Sequence, residues 1–130
     1  VPAAERWTLE ESLPTGDRVP VAGAYDLRAG ADLASLSLDD VYTSLKADTS
    51  GAVQCTIEDL ESGTTTRIQF DGGVLPHVVV YTAPAPREAI CVEPQTCPTD
   101  AFNLEARGVA ADVRALAPGA TDRLEIRFSA

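Results

Sequence analysis

Hydrophobic and polar residues alternate along several short segments of the chain, which is the pattern of β-strands with one buried face. The alternation covers residues 7–13, 53–58, 66–70 and 123–128. Residues 78–81 form a continuous Val-Val-Val-Tyr run instead, which predicts a strand buried on both faces. Turn-forming residues separate these runs, as at 14–17, and only residues 31–38 show a mildly helical pattern. Many short strands at this spacing predict an all-β fold, a β-sandwich.

The length and composition of the chain fit one domain covering residues 1–130. Hydrophobic residues make up 45% of the sequence and charged residues 23%, as in ordinary globular proteins. No linker, internal repeat or low-complexity segment divides the chain. We therefore predict a single β-sandwich domain.

The charge of the chain disfavours two classes of partner. The sequence holds 20 acidic and 10 basic residues, a formal net charge of −10. Nucleic acids and anionic membrane surfaces both attract clustered Lys and Arg, so we predict no nucleic-acid partner and no membrane partner. No hydrophobic run approaches the length of a membrane span, and no signal-peptide pattern is visible. We predict a cytoplasmic protein on the basis of its cysteines.

The three cysteines, Cys55, Cys91 and Cys97, are odd in number and lack the spacing of a metal site. We predict reduced thiols, as in a cytoplasmic protein. The alternative is a Cys91–Cys97 bridge across a turn, which would indicate an oxidising compartment. With a single histidine and no paired-cysteine motif, the sequence predicts no metal site.

Residues 89–103 are the most informative stretch, because an apolar strand-like run ends there in the carboxylate of Glu93. In a strand, Ala89, Cys91 and Glu93 share one face. Pro94 cannot donate a ladder hydrogen bond, so we expect regular pairing to stop there. A partly desolvated carboxylate has a raised pKa, which suits a general base. The alternative is an exposed acid at a strand end.

Two other places carry candidate chemistry. Asp39 and Asp40 are adjacent and should point to opposite sides of a strand, so one of them can face a pocket. A solvated turn is the alternative for both residues. His77 is the only histidine. It is a candidate acid catalyst, although a structural role is the expected one.

Four segments, taken in chain order, carry a family resemblance. They are Leu-Pro-Thr-Gly at 13–16 with Tyr-Asp-Leu-Arg at 25–28, Leu-Asp-Asp-Val-Tyr at 38–42, Pro-His-Val-Val-Val-Tyr-Thr at 76–82, and residues 90–103. The last segment resembles the signature around the catalytic glutamate of the aldose 1-epimerases, or galactose mutarotases. Together the four segments resemble the C-terminal half of that family over about residues 12–128.

The resemblance implies a β-sandwich of the galactose mutarotase type that interconverts the α and β anomers of aldohexoses without a cofactor. It implies that Glu93 is the general base, that Asp39 binds sugar hydroxyls, and that Gln95 is a weaker candidate for the pocket. Three aromatic residues are candidates for a flat surface against the sugar ring, with core packing as the alternative for each: Tyr42, Tyr81 and Phe102.

The chain departs from the family pattern in its histidines. The catalytic histidines of the family lie in an N-terminal half that this chain lacks; Asp40 stands where the family has Asp-His, and His77 does not match in position. We therefore expect the general acid to come from an N-terminal half chain or another partner, and we expect the chain to pair with such a half or to form a homo-oligomer. The alternative functions are a non-catalytic carbohydrate-binding module on the same fold and a structural domain without a sugar site.

Overall fold

The structure, a computed structural model, describes residues 1–87 and 89–130. Over these residues the chain forms eight β-strands, one short α-helix and two 3₁₀ turns. The strands are β1 Ala3–Glu10, β2 Leu13–Pro20, β3 Asp39–Leu45, β4 Ala52–Asp59, β5 Thr64–Asp71, β6 His77–Thr82, β7 Ile90–Gln95 and β8 Ile126–Ser129. The helix α1 is Ala101–Ala106, and the 3₁₀ turns are Gly23–Tyr25 and Leu33–Ser35. The predicted all-β fold is confirmed.

The strands form two antiparallel sheets. The large sheet has the order β2-β1-β3-β6-β7, and the small sheet has the order β4-β5-β8. Every neighbouring pair is antiparallel. In such pairs the residues directly opposite one another point to the same face, so the register decides which side chains meet.

The two sheets pack face to face around an inner core. The large sheet contributes Tyr42 from β3 and Val78 and Val80 from β6. The small sheet contributes four further buried residues: Val53, Cys55, Ile68 and Phe70. Fully burying side chains of this size contributes roughly 1.5–3 kcal/mol each. This packing accounts for the alternating pattern of β4 and β5, which have one buried face and one exposed face.

The opposite side of the large sheet, its outer face, carries a second core. Trp7, Val41 and Val79 lie on this face beneath Ala101 and Leu104 of α1. The segment that follows the helix covers the same face with Ala111. We predicted burial on both faces for residues 78–81, and β6 is buried on both sides at Val78, Val79 and Val80. The last residue of that run, Tyr81, lies beyond the cover and is 36% exposed.

One local prediction about the turns needs correction. The Pro-Thr-Gly-Asp segment at 14–17, predicted as a turn, lies inside β2, and the turn falls at Glu11 and Ser12 instead. An edge strand tolerates Pro and Gly because its outer side makes no ladder bonds, and the β1–β2 register is irregular between Trp7 and Leu9. The mildly helical segment 31–38, for which a turn or two was expected, forms one 3₁₀ turn, Leu33–Ser35, as predicted.

The described part of the chain contains no helix with the length and apolar character needed to cross a membrane.

Candidate functional site

The strand register brings four chemically useful side chains to one end of the outer face. Asp39 on β3 lies opposite Tyr81 on β6, which in turn lies opposite Cys91 on β7. Glu93 lies opposite Val79, one step along the same face. Asp39, Cys91 and Glu93 are exposed, and Tyr81 is partly exposed. We call these four residues the open end of the outer face.

Asp39 and Glu93 sit on either side of β6. They are two strands and two residues apart, which corresponds to about 12 Å between their Cα atoms in a regular sheet. Both side chains point to the same face, so two carboxylates flank the surface that Tyr81 occupies. This is a polar arrangement with an aromatic side chain between two hydrogen-bond acceptors.

Glu93 differs from its prediction in burial. We expected a partly desolvated carboxylate, but Glu93 is exposed, because β7 is an edge strand and none of the described residues covers that end. Pairing also continues past Pro94 to a Gln95–His77 pair, so the prediction that it stops at Pro94 was wrong. A proline is tolerated on an edge strand where its missing N–H would face away from the sheet.

Gln95 contacts the Glu93 carboxylate. Its side-chain Nε2 donates a hydrogen bond to Glu93 Oε2 at 3.3 Å. Both side chains therefore lie on the same face of β7, as the period of two requires. Gln95 can orient the carboxylate of Glu93 from this position.

Asp39 and Asp40 point to opposite faces of β3, as predicted. Asp39 accepts a hydrogen bond from Ser12 Oγ at 3.2 Å and stays exposed on the outer face. Asp40 is buried on the inner side, where Arg6 Nη1 donates to its Oδ1 at 3.1 Å. Burial raises the pKa of Asp40, and the Arg6 guanidinium partly opposes that rise. Asp40 therefore does not belong to the open end.

His77 is fully buried, with a relative exposure of 0%. The indole Nε1 of Trp7 donates to its Nδ1 at 3.5 Å, and its Nε2 lies 3.0 Å from Asp112 Oδ2. A single neutral tautomer, protonated at Nε2, satisfies both contacts. Burial lowers the pKa of His77, and Asp112 partly opposes that effect. The imidazole thus links the segment around Asp112 to β6 through a hydrogen bond. It does not reach the open end.

The three aromatic candidates fall in three different environments. Tyr42 is buried in the inner core. Phe102 is 80% exposed on α1, whose buried residues are Ala101 and Leu104. Tyr81 alone of the three lies in the sheet row that contains Asp39. Core packing is therefore the role of Tyr42 and not of Tyr81.

The cysteines are all free thiols: Cys55 is buried, Cys91 exposed and Cys97 half-buried. The alternative of a Cys91–Cys97 bridge is not found. The extended strand carries Gln95 about 14 Å from Cys91, and Cys97 packs against the outer core. Cys91 is therefore left as an exposed thiol directly opposite Tyr81.

Two cavities lie away from these residues. A cavity of about 920 Å³ runs between the N-terminal residues, the loop around Leu33 and the apolar side chains of Ile57, Ile90 and Val92. A second cavity, of about 480 Å³, lies on the small sheet between Asp71 and Arg127. Neither cavity touches Asp39 or Glu93. The larger cavity is lined by charged side chains, among them Asp32, Lys46 and Glu58, as well as by apolar ones.

Within residues 1–87 and 89–130, no group of three or more His, Cys, Asp and Glu side chains is placed to hold a metal ion. The chain matches no known protein-family model. The candidate site is therefore defined by its own residues and by the register that brings them together.

The sequence analysis named Tyr81 as a candidate aromatic surface but did not predict that it lies opposite Asp39. The shared face of Cys91 and Glu93 follows from the period of two within one strand. The addition of Tyr81 and Asp39 needs the pairing of three strands, which no local pattern specifies. The available signal was the order of the two hydrophobic runs, which are joined by a short connection and therefore suited to a hairpin.

Proposed function

We propose that the chain is a portion of an aldose 1-epimerase and that its open end contacts the sugar. The observation that supports this most is the placement of Asp39 and Glu93. The family resemblance gives these two residues the sugar-binding and general-base roles, and both lie exposed on one face of one sheet, on either side of Tyr81. The specific galactose mutarotase type of the sandwich is part of the same proposal.

In the proposed reaction, Glu93 takes the proton from the anomeric hydroxyl of an aldohexose. The C1–O bond then becomes the aldehyde carbonyl while the bond between C1 and the ring oxygen breaks, and an acid protonates the ring oxygen. Rotation about the C1–C2 bond and reclosure give the other anomer. Asp39 accepts hydrogen bonds from sugar hydroxyls, and Gln95 orients the Glu93 carboxylate. A positioned proton transfer of this kind contributes roughly 10²- to 10⁴-fold to the rate, and the reaction uses no cofactor.

The acid comes, in this proposal, from a second chain. His77 is enclosed and already engaged with Asp112. The small sheet also presents apolar surface: Ile126 and Phe128 lie opposite core residues of β5 yet remain 38% and 67% exposed. An edge strand with exposed apolar side chains is a site where further strands add. We propose that an N-terminal half chain covers this surface and supplies the acid, with a homo-oligomer as the alternative.

Polarimetry of α-glucose and α-galactose mutarotation tests the catalytic role of Glu93. Imidazole buffer near pH 6.5 can stand in for the missing acid, and imidazole without protein gives the background rate. We expect the chain to accelerate mutarotation above that background and the Glu93→Gln variant to lose roughly 10²- to 10⁴-fold of the acceleration. The matched control is Glu61→Gln, which removes an exposed carboxylate in the β4–β5 turn and should change nothing. Equal rates for the wild-type chain and Glu93→Gln contradict the proposal.

A second candidate function is a non-catalytic carbohydrate-binding module on the same fold. The exposure of Glu93 favours it, because an exposed carboxylate can accept hydrogen bonds from sugar hydroxyls without taking part in a proton transfer. On this hypothesis Glu93→Gln keeps its sugar affinity and neither protein accelerates mutarotation. A structural domain without a sugar site predicts instead that no sugar raises the melting temperature. A cytoplasmic location belongs to the leading proposal and is compatible with the three free thiols.

A further inference from the structure

We propose that β8 is a dimer interface, in which it pairs antiparallel with β8 of a second copy of this chain about a two-fold axis at Ile126. Two partners are named above for the surface around β8, an N-terminal half chain and a homo-oligomer, and the residues of β8 favour the homo-oligomer. This dimer requires neither the sugar nor Glu93.

One edge of β8 is open to a further strand. In the small sheet β8 is the last strand, and among the described residues it pairs only with β5. Alternate residues of a strand bond to opposite sides, so half of the backbone N–H and C=O groups of β8 point out of the sheet. Residues 122–130 contain no proline that would remove a donor from this edge. Such an edge is a template for pairing with another chain.

The apolar side of this segment is uncovered as well. Leu124, Ile126 and Phe128 are all exposed, although Ile126 and Phe128 lie opposite the buried side chains of Phe70 and Ile68 on β5. The inner core of the sandwich therefore ends at β5 and does not extend over β8. A strand that adds to β8 with apolar residues on the same face continues that apolar surface and removes part of it from water.

The order of residues makes this segment complementary to itself. In an antiparallel pair centred on Ile126, Glu125 of one copy lies opposite Arg127 of the second copy, and the symmetry repeats this pair. On the apolar face Leu124 lies opposite Phe128, and Ile126 lies opposite itself. Within one chain Arg127 also donates a hydrogen bond to Glu125, so the dimer joins two ion pairs into one network of alternating charges. Opposite charges and apolar residues directly across a strand pair both stabilise the pairing.

Neighbouring registers lack this complementarity. A two-fold axis at Glu125 or at Arg127 sets that charged side chain opposite itself, which is destabilising. An axis at Leu124 sets the carboxylate of Asp122 opposite Ile126. An axis between two residues places charged side chains opposite apolar ones, because a shift of one residue exchanges the two faces of a strand. The register centred on Ile126 is therefore the one that matches both charge and face.

Sedimentation equilibrium of the chain and its charge variants tests this interface. We expect the wild-type chain to dimerise with increasing concentration. Glu125→Arg and Arg127→Glu each set like charges opposite one another, so each should raise the dissociation constant of the dimer by about tenfold or more. The matched control is Glu61→Arg, which makes the same change of charge in the exposed β4–β5 turn and should leave the dissociation constant unchanged. Melting curves verify that each variant folds.

A mixture of the two single variants tests the register itself. In a mixed dimer every side chain at position 125 faces an opposite charge at position 127 of the other variant, whereas the ion pair within each chain stays broken. We therefore expect an equimolar mixture of Glu125→Arg and Arg127→Glu to regain the dimer that neither variant forms well alone. A role of these two residues confined to one chain predicts no such recovery.

Three outcomes overturn the interface: a wild-type chain that is monomeric at every concentration, single variants that dimerise as tightly as the wild type, or a mixture that stays as monomeric as its components. Each of these outcomes leaves the proposed function standing, because polarimetry with Glu93→Gln tests that function separately. Conversely, a dimer that follows the charge pattern of β8 stands even if the chain does not accelerate mutarotation.

Discussion

The two ends of the outer face of the large sheet differ in solvent exposure. At the covered end, Trp7, Val41 and Val79 are enclosed by α1 and by residues 109–113. At the open end, Asp39 lies one step further along β3 than Val41, Glu93 lies on the neighbouring strand β7, and both are exposed. Val79 and Glu93 lie directly opposite each other, so the boundary runs between two paired residues. The burial of a residue on this face thus depends on whether α1 or the segment after it packs over that residue.

Polar contacts hold α1 and residues 109–113, which together form the cover of this face, in place. His77 holds Asp112, and the side-chain Oε1 of Glu105 accepts a hydrogen bond from the backbone N–H of Val113 at 3.0 Å. At the other edge, Arg107 Nη2 donates to the carbonyl oxygen of Pro14 at 3.3 Å. These contacts fix the segment that follows α1 and leave the open end outside it.

The largest effect that separates the two ends is expected from Trp7→Ala. Trp7 is fully buried at the covered end, and removing a side chain of this size from a core costs about 3–5 kcal/mol. Urea unfolding measures the loss in the free energy of unfolding. The matched comparison is Phe102→Ala, an exposed aromatic residue for which the change should stay within about 0.5 kcal/mol. Similar losses in the free energy of unfolding for the two variants would contradict the division of the outer face into a covered end and an open end.

A change of pH is expected to have a smaller effect on the stability of the fold, and this effect again arises at the covered end. Burial lowers the pKa of His77 from its ordinary value of 6.5, so the folded state favours the neutral ring more than the unfolded state does. The resulting stability is fully present above pH 6.5 and is lost as the pH falls through the window below it, by at most about 1.4 kcal/mol per pH unit.

Melting curves at pH 7.5 and 5.5 measure this loss of stability. The charged group that faces His77 from the cover is Asp112, and Arg18 acts on it from β2. The wild-type chain should melt at a lower temperature at pH 5.5, and His77→Gln should show a smaller drop. An equal drop in the two proteins would mean that other groups carry the pH dependence.

The sequence predicted the fold class because the alternation of β4 and β5 is local and has a period of two. It did not predict α1, since six residues are too few for a periodic pattern to stand out. It placed Glu93 on the face of Cys91 but misjudged its burial, because burial depends on the cover contributed by residues about 10–20 positions further along. The contribution of Tyr81 depends on strand pairing, which is specified by packing and not by any one segment.

Chemical-shift mapping tests our proposal that a sugar binds at the open end. A ¹⁵N-labelled chain is titrated with methyl α-glucoside, and the perturbed backbone amides are located. We expect the perturbations to cluster on three neighbouring strands, around Asp39, Tyr81 and residues 91–95. Perturbations around Leu33, Ile57 and the rest of the 920 Å³ cavity, or none at any sugar concentration, would contradict the claim.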